Sequence, residues 1–176
     1  ESDFLATLTL CSVPTSTTVR QSDIAMMLNA GTEVGVASTK AFVAQTTALL
    51  LVTLLLARQR GLKAGLEEEI VQQLHQLPET IAELLKLDEP IAKLAEVFAD
   101  KEHALYLGRG SFYPIAMEGA LKLKELSYIH AEGYAAGELK HGPLALVDES
   151  MPVVALAPND ELLEKLYSNL QEVRSR

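Results

Sequence analysis

A short apolar run followed by a helical stretch occurs twice in the second half of the chain, and this order restricts the fold more than any other feature. His103–Leu107 is typical of a strand, and a Gly-Arg-Gly turn at 108–110 leads into a predicted helix over 112–128. Met151–Ala157 is continuously apolar, as expected of a strand buried on both faces, and a helix follows from Asp160. The alternation predicts an α/β fold with a parallel sheet and right-handed crossovers.

The first half begins with a similar pattern. Phe4–Val13 alternates apolar residues with threonine, which predicts a strand running into a loop. The apolar run Ile24–Leu28 is too short to assign by periodicity. A loop is expected at Asn29–Glu33, and Gly35 extends it.

The most apolar stretch of the chain is Ala41–Ala57. Ser38 is the expected N-cap of a helix that runs through it to about Arg60, with Gly61 closing the end. The run has about 17 residues, fewer than the ~20 that a bilayer requires, and glutamine and threonine interrupt it. We therefore interpret it as a buried core or interface helix rather than a membrane span.

The middle of the chain is charged and amphipathic. Leu66–Lys86 has apolar residues at helical spacing, although Pro78 should break or kink the helix. Glu89-Pro90 opens another predicted helix through about Phe98. This region is the best candidate for a linker between two α/β units.

Composition excludes several classes of function. A net charge of −9 with no basic patch argues against nucleic-acid binding, but it leaves room for a small anionic ligand. The single cysteine, Cys11, excludes an internal disulfide and is expected to be an inert core thiol. No signal peptide is recognisable, so a reducing cytoplasmic setting is the default expectation.

Three charged residues share one face of the helix predicted at 112–128. Glu118, Lys122 and Glu125 fall at i, i+4 and i+7, and their neighbours are apolar. Ion pairing on a solvated face is one interpretation of this spacing. The other is that a partly desolvated carboxylate beside a lysine acts as a general base.

Two further segments are candidates for chemistry. The stretch 136–143 brings Glu138, Lys140 and His141 together near two glycines and a proline, and histidine suits proton exchange near neutral pH. A structural histidine in a loop is the alternative. The Gly-Arg-Gly turn could hold an anion or be a tight turn alone, because it lacks the third glycine of the dinucleotide fingerprint. The histidines lack metal-ligand spacing, so neither a metal nor a cofactor is expected.

Three runs taken together resemble one family, glucosamine-6-phosphate synthase, also called glutamine–fructose-6-phosphate aminotransferase (isomerizing). They are NAGTEVGVASTKAF at 29–42, EGALKLKELSYIHAE at 118–132 and GELKHGPLAL at 137–146. The resemblance extends over the whole chain in the family's order.

The resemblance implies sugar isomerase (SIS) domains, each a parallel sheet sandwiched by helices. Residues 1–65 would be the C-terminal part of a first SIS domain and residues 90–176 the N-terminal part of a second. Residues 66–89 would be a helical linker.

The family converts fructose 6-phosphate and glutamine to glucosamine 6-phosphate, a step in amino sugar and UDP-N-acetylglucosamine biosynthesis. By match of motif, Glu125 corresponds to the base that moves a proton between C1 and C2 of the sugar, and Lys122 to its positively charged partner. His141 corresponds to the residue that opens the sugar ring across a homodimer interface. Val36, Ser38 and Thr39 match the loop that binds the sugar phosphate.

The resemblance also implies parts that this sequence lacks. No counterpart of the family's phosphate loop, glutaminase domain or lysine-bearing C-terminal tail is found. Glu1 is not a start residue, and the last helical pattern has no capping signal. We therefore expect a fragment that is inactive alone, with no nucleic-acid or membrane partner. The alternatives are a sugar-phosphate deaminase or isomerase that does not use glutamine, and a sugar-phosphate-binding regulatory module.

Overall fold

A computed structural model describes residues 4–176 of the chain as two compact units, divided between Leu85 and Lys86. We refer to them as the first unit and the second unit. Residues 1–3 of the predicted first domain, 1–65, lie outside the described residues. The regular elements of the first unit are β1 (Leu8–Cys11), α1 (Thr17–Gln21), β2 (Ile24–Met27), α2 (Lys40–Gln59) and α3 (Leu66–Leu84).

The first unit contains a two-stranded parallel sheet. β1 and β2 pair from Leu8 opposite Ile24 to Cys11 opposite Met27, so the short run at 24–28 is a strand. The carboxylate of Asp23 accepts hydrogen bonds from the backbone N–H of Thr7, at 2.8 Å, and from its hydroxyl, at 2.9 Å. These bonds, the backbone one first, hold the pKa of Asp23 below its usual value. They join the residues that immediately precede β1 and β2.

The second unit is a three-stranded parallel sheet flanked by helices. Its elements are α4 (Asp88–Ala95), β3 (His103–Gly108), α5 (Tyr113–Ser127), β4 (His130–Ala135), β5 (Val153–Ala155) and α6 (Leu163–Arg174). The strand order is β4-β3-β5, and both pairings are parallel. The α/β class with parallel sheets, predicted from the sequence, is confirmed.

A glycine allows α5 to pack closely on β4. A Cβ atom at Gly133 would lie 2.7 Å from the backbone Cα of Met117, closer than real contacts allow. Ala116 and Ala120 on α5 are buried together with Ala131 on β4. Small residues on both elements therefore set the short distance between α5 and the sheet.

The core of the second unit has two clusters. The larger one lies where the sheet meets α6 and the segment after β4, and its buried members are Leu105, Leu107, Ala136, Leu139, Val147 and Leu166. The smaller one lies under α5 and comprises Ala104, Ala120 and Ala131.

Several local expectations were wrong. Pro78 lies inside α3, so the expected break does not occur, and the alternative expectation of a kink stays a prediction. The apolar run at 151–157 forms only a three-residue strand, Val153–Ala155, which is half-buried at an edge of the sheet rather than covered on both faces. The strand β4, over His130–Ala135, was not predicted. Cys11 is partly exposed and within hydrogen-bonding distance of the Ser16 hydroxyl, so it is not a core thiol.

The apolar helix α2 is largely uncovered in the first unit. Ala48 and Leu54 are its only buried residues, so the expectation of a core helix is wrong for this unit. Of the described helices, α2 alone is long and apolar enough to cross a membrane, judged by length and composition. The interface interpretation of this helix stays a prediction.

Candidate active site

The turn after β3 places α5 at the carboxyl edge of the sheet. A Cβ atom at Gly108 would lie 2.1 Å from the backbone oxygen of Phe112, so the chain can fold back here only with glycine. Gly110 follows with a φ of +57°, and Pro114 lies in the first turn of α5. The carboxyl edge of a parallel sheet is where ligands bind in open α/β folds.

The charged face predicted on this helix is present. The Lys122 ammonium lies 2.7 Å from Glu125 Oε2 and 3.4 Å from Glu118 Oε1. The three side chains are 21 to 28% exposed, so they are half-buried rather than freely solvated. Spacing along the helix therefore brings one ammonium between two carboxylates.

The electrostatics of this face are dominated by the lysine. The hydrogen bond to Glu125 raises the pKa of Lys122, and the negative charges of Glu118 and Glu125 raise it further, against an opposing effect of desolvation. Lys122 is therefore charged at neutral pH and fixes the orientation of the Glu125 carboxylate. Among the described residues no hydrogen bond is made to Glu125 Oε1, because the lysine contacts Oε2.

His141 lies at the end of a short 3₁₀ helix, Ala136–His141, that follows β4. Its Nδ1 atom is 2.8 Å from Glu138 Oε2, and its side chain is 74% exposed. No hydrogen bond or ion pair within residues 4–176 joins it to Lys122 or Glu125. The structure therefore brings Lys122 and Glu125 together, and within the described residues His141 is bonded to Glu138 instead.

Two contacts that sequence reasoning missed anchor the His141 segment. Leu139 is fully buried in the larger core cluster. The Lys140 ammonium lies 2.8 Å from Glu172 Oε1 on α6, and Glu172 Oε2 is buried without a partner. The partner of Lys140 is 32 residues away in sequence, so local spacing could not identify it. His141 therefore lies in a segment that is anchored by the buried side chain of Leu139 and by the Lys140–Glu172 ion pair.

The loop predicted to bind the sugar lies in the first unit, between β2 and α2. Val36 is 92% exposed. The Ser38 hydroxyl and the Thr39 N–H both donate to Glu33 Oε1, at 3.3 and 3.0 Å. Glu33 also accepts from the Ala41 N–H at 3.4 Å, and these bonds, Thr39 first, lower its pKa.

Glu33 therefore caps α2, which corrects the expectation that Ser38 is the N-cap. The cap position is Thr39, which makes no side-chain cap bond. A glutamate six residues before the cap residue accepts from the N–H of Thr39 and from the N–H of Ala41 in the first turn, a role that matches the preference for acidic groups at helix N-termini. The Glu33 carboxylate thus helps to order the loop, together with the Lys40 ammonium, which donates to the backbone oxygen of Thr32.

A cavity of about 550 Å³ opens beside α5 in the second unit. Glu118 lines it together with Lys124, Glu132 and Tyr134. Glu118 is thus both a member of the charged face and part of a cavity wall, a detail that the helical spacing did not reveal.

Comparison with known proteins identifies the family of the chain. Residues 4–55 and 97–176 match the SIS domain. The chain belongs to the SIS domain family. Two stretches of the SIS-family chain match separately, and the first contains the Glu33 loop while the second contains the charged face of α5.

The similarity to individual proteins is high. Glutamine–fructose-6-phosphate aminotransferase [isomerizing] of Escherichia coli (strain K12) is 61% identical over 176 residues, which are 100% of this chain and 29% of that protein. The C-terminal domain of glucosamine-fructose-6-phosphate aminotransferase from Francisella tularensis has a TM-score of 0.95 and 54% identity, covering 98% of this chain and 49% of that one. The SIS-family chain thus spans less than a third of the length of the curated relative.

A more distant structure shares the fold alone. Glucosamine-6-phosphate deaminase from Thermotoga maritima has a TM-score of 0.71 at 23% identity, covering 96% of this chain and 49% of that one. At this identity the likeness supports the SIS fold and carries no argument about activity.

Proposed function

We propose that this chain carries the sugar-isomerising part of an enzyme that makes glucosamine 6-phosphate from fructose 6-phosphate and glutamine. The observation that carries the proposal is the Glu118–Lys122–Glu125 face, with its 2.7 Å ion pair, in a chain 61% identical to an aminotransferase of that name. Moving a proton α to a carbonyl requires a carboxylate held close to the carbon, which is what an oriented Glu125 would supply.

In the proposed mechanism Glu125 takes the proton from one sugar carbon and returns it to the other, between C1 and C2. Lys122 holds Oε2 of Glu125, so Oε1 would face the substrate. The ammonium also favours the negative charge that develops on the sugar oxygen during enolisation. The base and its electrostatic partner therefore lie on one turn of one helix.

His141 is proposed to open the sugar ring, since ring opening needs an acid–base group near neutral pH. Within the described residues His141 makes no hydrogen bond to Lys122 or Glu125, which is compatible with a homodimer in which His141 of each subunit serves the site of the other. Glu138, at 2.8 Å from Nδ1, would orient the ring so that Nε2 faces the sugar.

Val36, Ser38 and Thr39 are proposed to bind the sugar phosphate. Their loop is fixed at one end by Glu33, which leaves the exposed backbone around Val36 able to approach a ligand. Ammonia from glutamine would come from a glutaminase domain that this chain does not contain, and the proposed setting is the cytoplasm.

The proposed domain boundaries are 1–65, 66–89 and 90–176. The two separate SIS matches, at 4–55 and 97–176, support two domains. The helix α3, Leu66–Leu84, occupies most of the stretch proposed as a linker. Limited proteolysis that cleaves first between 55 and 97 would agree with these boundaries.

The proposal is tested on a full-length protein that contains this segment. With fructose 6-phosphate and glutamine, mass spectrometry should detect glucosamine 6-phosphate and an equal amount of glutamate. Without glutamine, sugar isomerisation alone should remain. Sugar-phosphate turnover with no consumption of glutamine would contradict the proposal and favour a deaminase or isomerase.

A further inference from the structure

Two histidines stand side by side at the amino end of the second unit's sheet. His103 and His130 are the first residues of β3 and β4 and are register partners. Partners in neighbouring strands project from the same face of the sheet. Their Nδ1 atoms are 3.1 Å apart, and the rings are nearly perpendicular, at 88°.

This separation suits two ligands of one metal ion. Imidazole nitrogens bind Zn²⁺ at about 2.0–2.1 Å, and two nitrogens 3.1 Å apart would then subtend an angle of about 98° at the ion. That angle lies between the values for octahedral and tetrahedral coordination. Because each histidine is fixed in the strand ladder, the backbone spacing is set before any ion binds.

A carboxylate orients one of the two rings. Nε2 of His130 lies 3.5 Å from Glu132 Oε1, and the Tyr134 hydroxyl donates to Glu132 Oε2 at 2.7 Å. A carboxylate facing Nε2 favours the tautomer with its proton there, which leaves the Nδ1 atom of His130 unprotonated, able to accept a hydrogen bond from His103 or to bind an ion in its place. Histidine ligands of metals are held in this way by a carboxylate on the other ring nitrogen.

We propose that His103 and His130 bind a divalent transition-metal ion of the kind that prefers imidazole, such as Zn²⁺, Ni²⁺ or Cu²⁺, through their Nδ1 atoms. Within residues 4–176 no group of three or more His, Cys, Asp or Glu side chains could hold a metal ion, so water completes the coordination. A cavity of about 240 Å³ adjoins both rings and Asp148 and provides the room.

The proposed site is separate from the charged face of α5. The histidines begin β3 and β4, whereas α5 follows the carboxyl end of β3. The inference therefore does not depend on the proposed sugar chemistry. A bound ion would join two neighbouring strands at their starts and stabilise the folded state, since the unfolded chain lacks the paired geometry.

Isothermal titration calorimetry of this chain with ZnCl₂ tests the proposal. We expect one saturable site, a Tm that rises with Zn²⁺ and returns with EDTA, and no response to Mg²⁺, which prefers oxygen ligands. His103→Ala and His130→Ala should each weaken binding at least about tenfold. His75→Ala, which removes an exposed histidine from α3, should leave binding unchanged.

Spectroscopy of the unsubstituted chain provides a measurement that does not depend on the folding of variants. With one equivalent of Cu²⁺, electron paramagnetic resonance should show hyperfine coupling to two nitrogen nuclei. A spectrum with oxygen ligands only, or Zn²⁺ binding that survives His103→Ala in a folded variant, would overturn the proposal.

Discussion

The two units bury their apolar side chains to very different extents. In the second unit ten apolar residues are buried around the sheet, including Leu107, Leu139 and Leu166, whereas Ala48 and Leu54 are the only buried ones among the described residues of the first unit. In the second unit packing therefore holds the elements that carry the proposed site residues, whereas in the first unit polar bonds hold the loop before α2. A reacting group requires support by packed elements, because its position must be fixed within a fraction of an ångström.

Helix α2 illustrates how little apolar surface the first unit buries. Its large apolar residues are mostly uncovered, and those exposed include Val43, Leu49, Leu50, Leu55 and Leu56. Exposed apolar surface of this extent marks an interaction site more often than a free surface. The first unit thus contains an apolar helix whose side chains are mostly not buried.

The largest expected effect on stability comes from the core of the second unit. Leu139→Ala removes a fully buried side chain and should lower the free energy of unfolding by about 2–5 kcal/mol. Leu55→Ala, at a residue 55% exposed, should change it by less than about 0.5 kcal/mol. Urea unfolding followed by circular dichroism measures both, and equal losses would show that α2 is covered in solution.

The units should also differ in their kinetic roles in a full-length protein. His141→Ala should slow turnover of cyclic fructose 6-phosphate about 100-fold and leave an open-chain analogue unaffected. Ser38→Ala should instead raise KM about 2- to 12-fold, the loss of one hydrogen bond, with kcat unchanged. Steady-state kinetics separates the two, and a loss of kcat in the Ser38 variant would contradict the division of roles.

Glycine substitutions should also affect the two units unequally. Gly133→Ala forces a Cβ atom against the backbone of α5 and should destabilise the second unit by about 1–3 kcal/mol. Gly35→Ala, whose nearest neighbour would be 3.8 Å away, should have an effect below about 0.5 kcal/mol. Thermal unfolding of the two variants measures the difference. A Gly133→Ala protein with unchanged Tm would mean that α5 and β4 can separate freely.

The smallest expected effect is on the local stability of the first unit when the pH is lowered. The pKa values of Asp23 and Glu33 are lowered by hydrogen bonds from Thr7 and Thr39, so their stabilisation is present above the ordinary carboxyl pKa and is lost as the pH falls below it. Hydrogen exchange at pH 5 and pH 3 should show the first unit losing protection at 24–41 before β3 does. In Glu33→Gln this pH dependence should diminish, and equal losses in both units would contradict the account.

Local patterns predicted the parts of the fold that local chemistry determines. The charged face of α5 follows from spacing along one helix, and the start of β3 follows from an apolar run before a glycine turn. The strand β4 was missed because its sequence, HAEGYA, has no β-branched residue and contains glycine. Its place is set by the close approach of α5 at Gly133, a tertiary effect that propensity does not report.

Contacts between distant residues account for the other differences. The cap of α2 comes from Glu33 rather than the adjacent Ser38, and Lys140 pairs with Glu172 on another helix. The apolar composition of 41–57 predicted burial, but composition does not specify what covers a helix. Candidate site residues and the Lys122–Glu125 pair could therefore be named from motifs and spacing, whereas the roles of Glu33 and Glu172 required the structure.

The central claim is that Glu125, held by Lys122, is the base. It is tested most directly by isomerisation of fructose 6-phosphate without glutamine, followed by NMR in a full-length protein carrying Glu125→Gln or Glu118→Gln. Glu125→Gln should lower the rate by about 100-fold or more while the Kd for the sugar changes less than about threefold, because the amide cannot accept the proton. Glu118→Gln, which alters the more distant partner of Lys122, should retain most of the rate. Wild-type turnover in the Glu125 variant, or equal losses in both, would contradict the account.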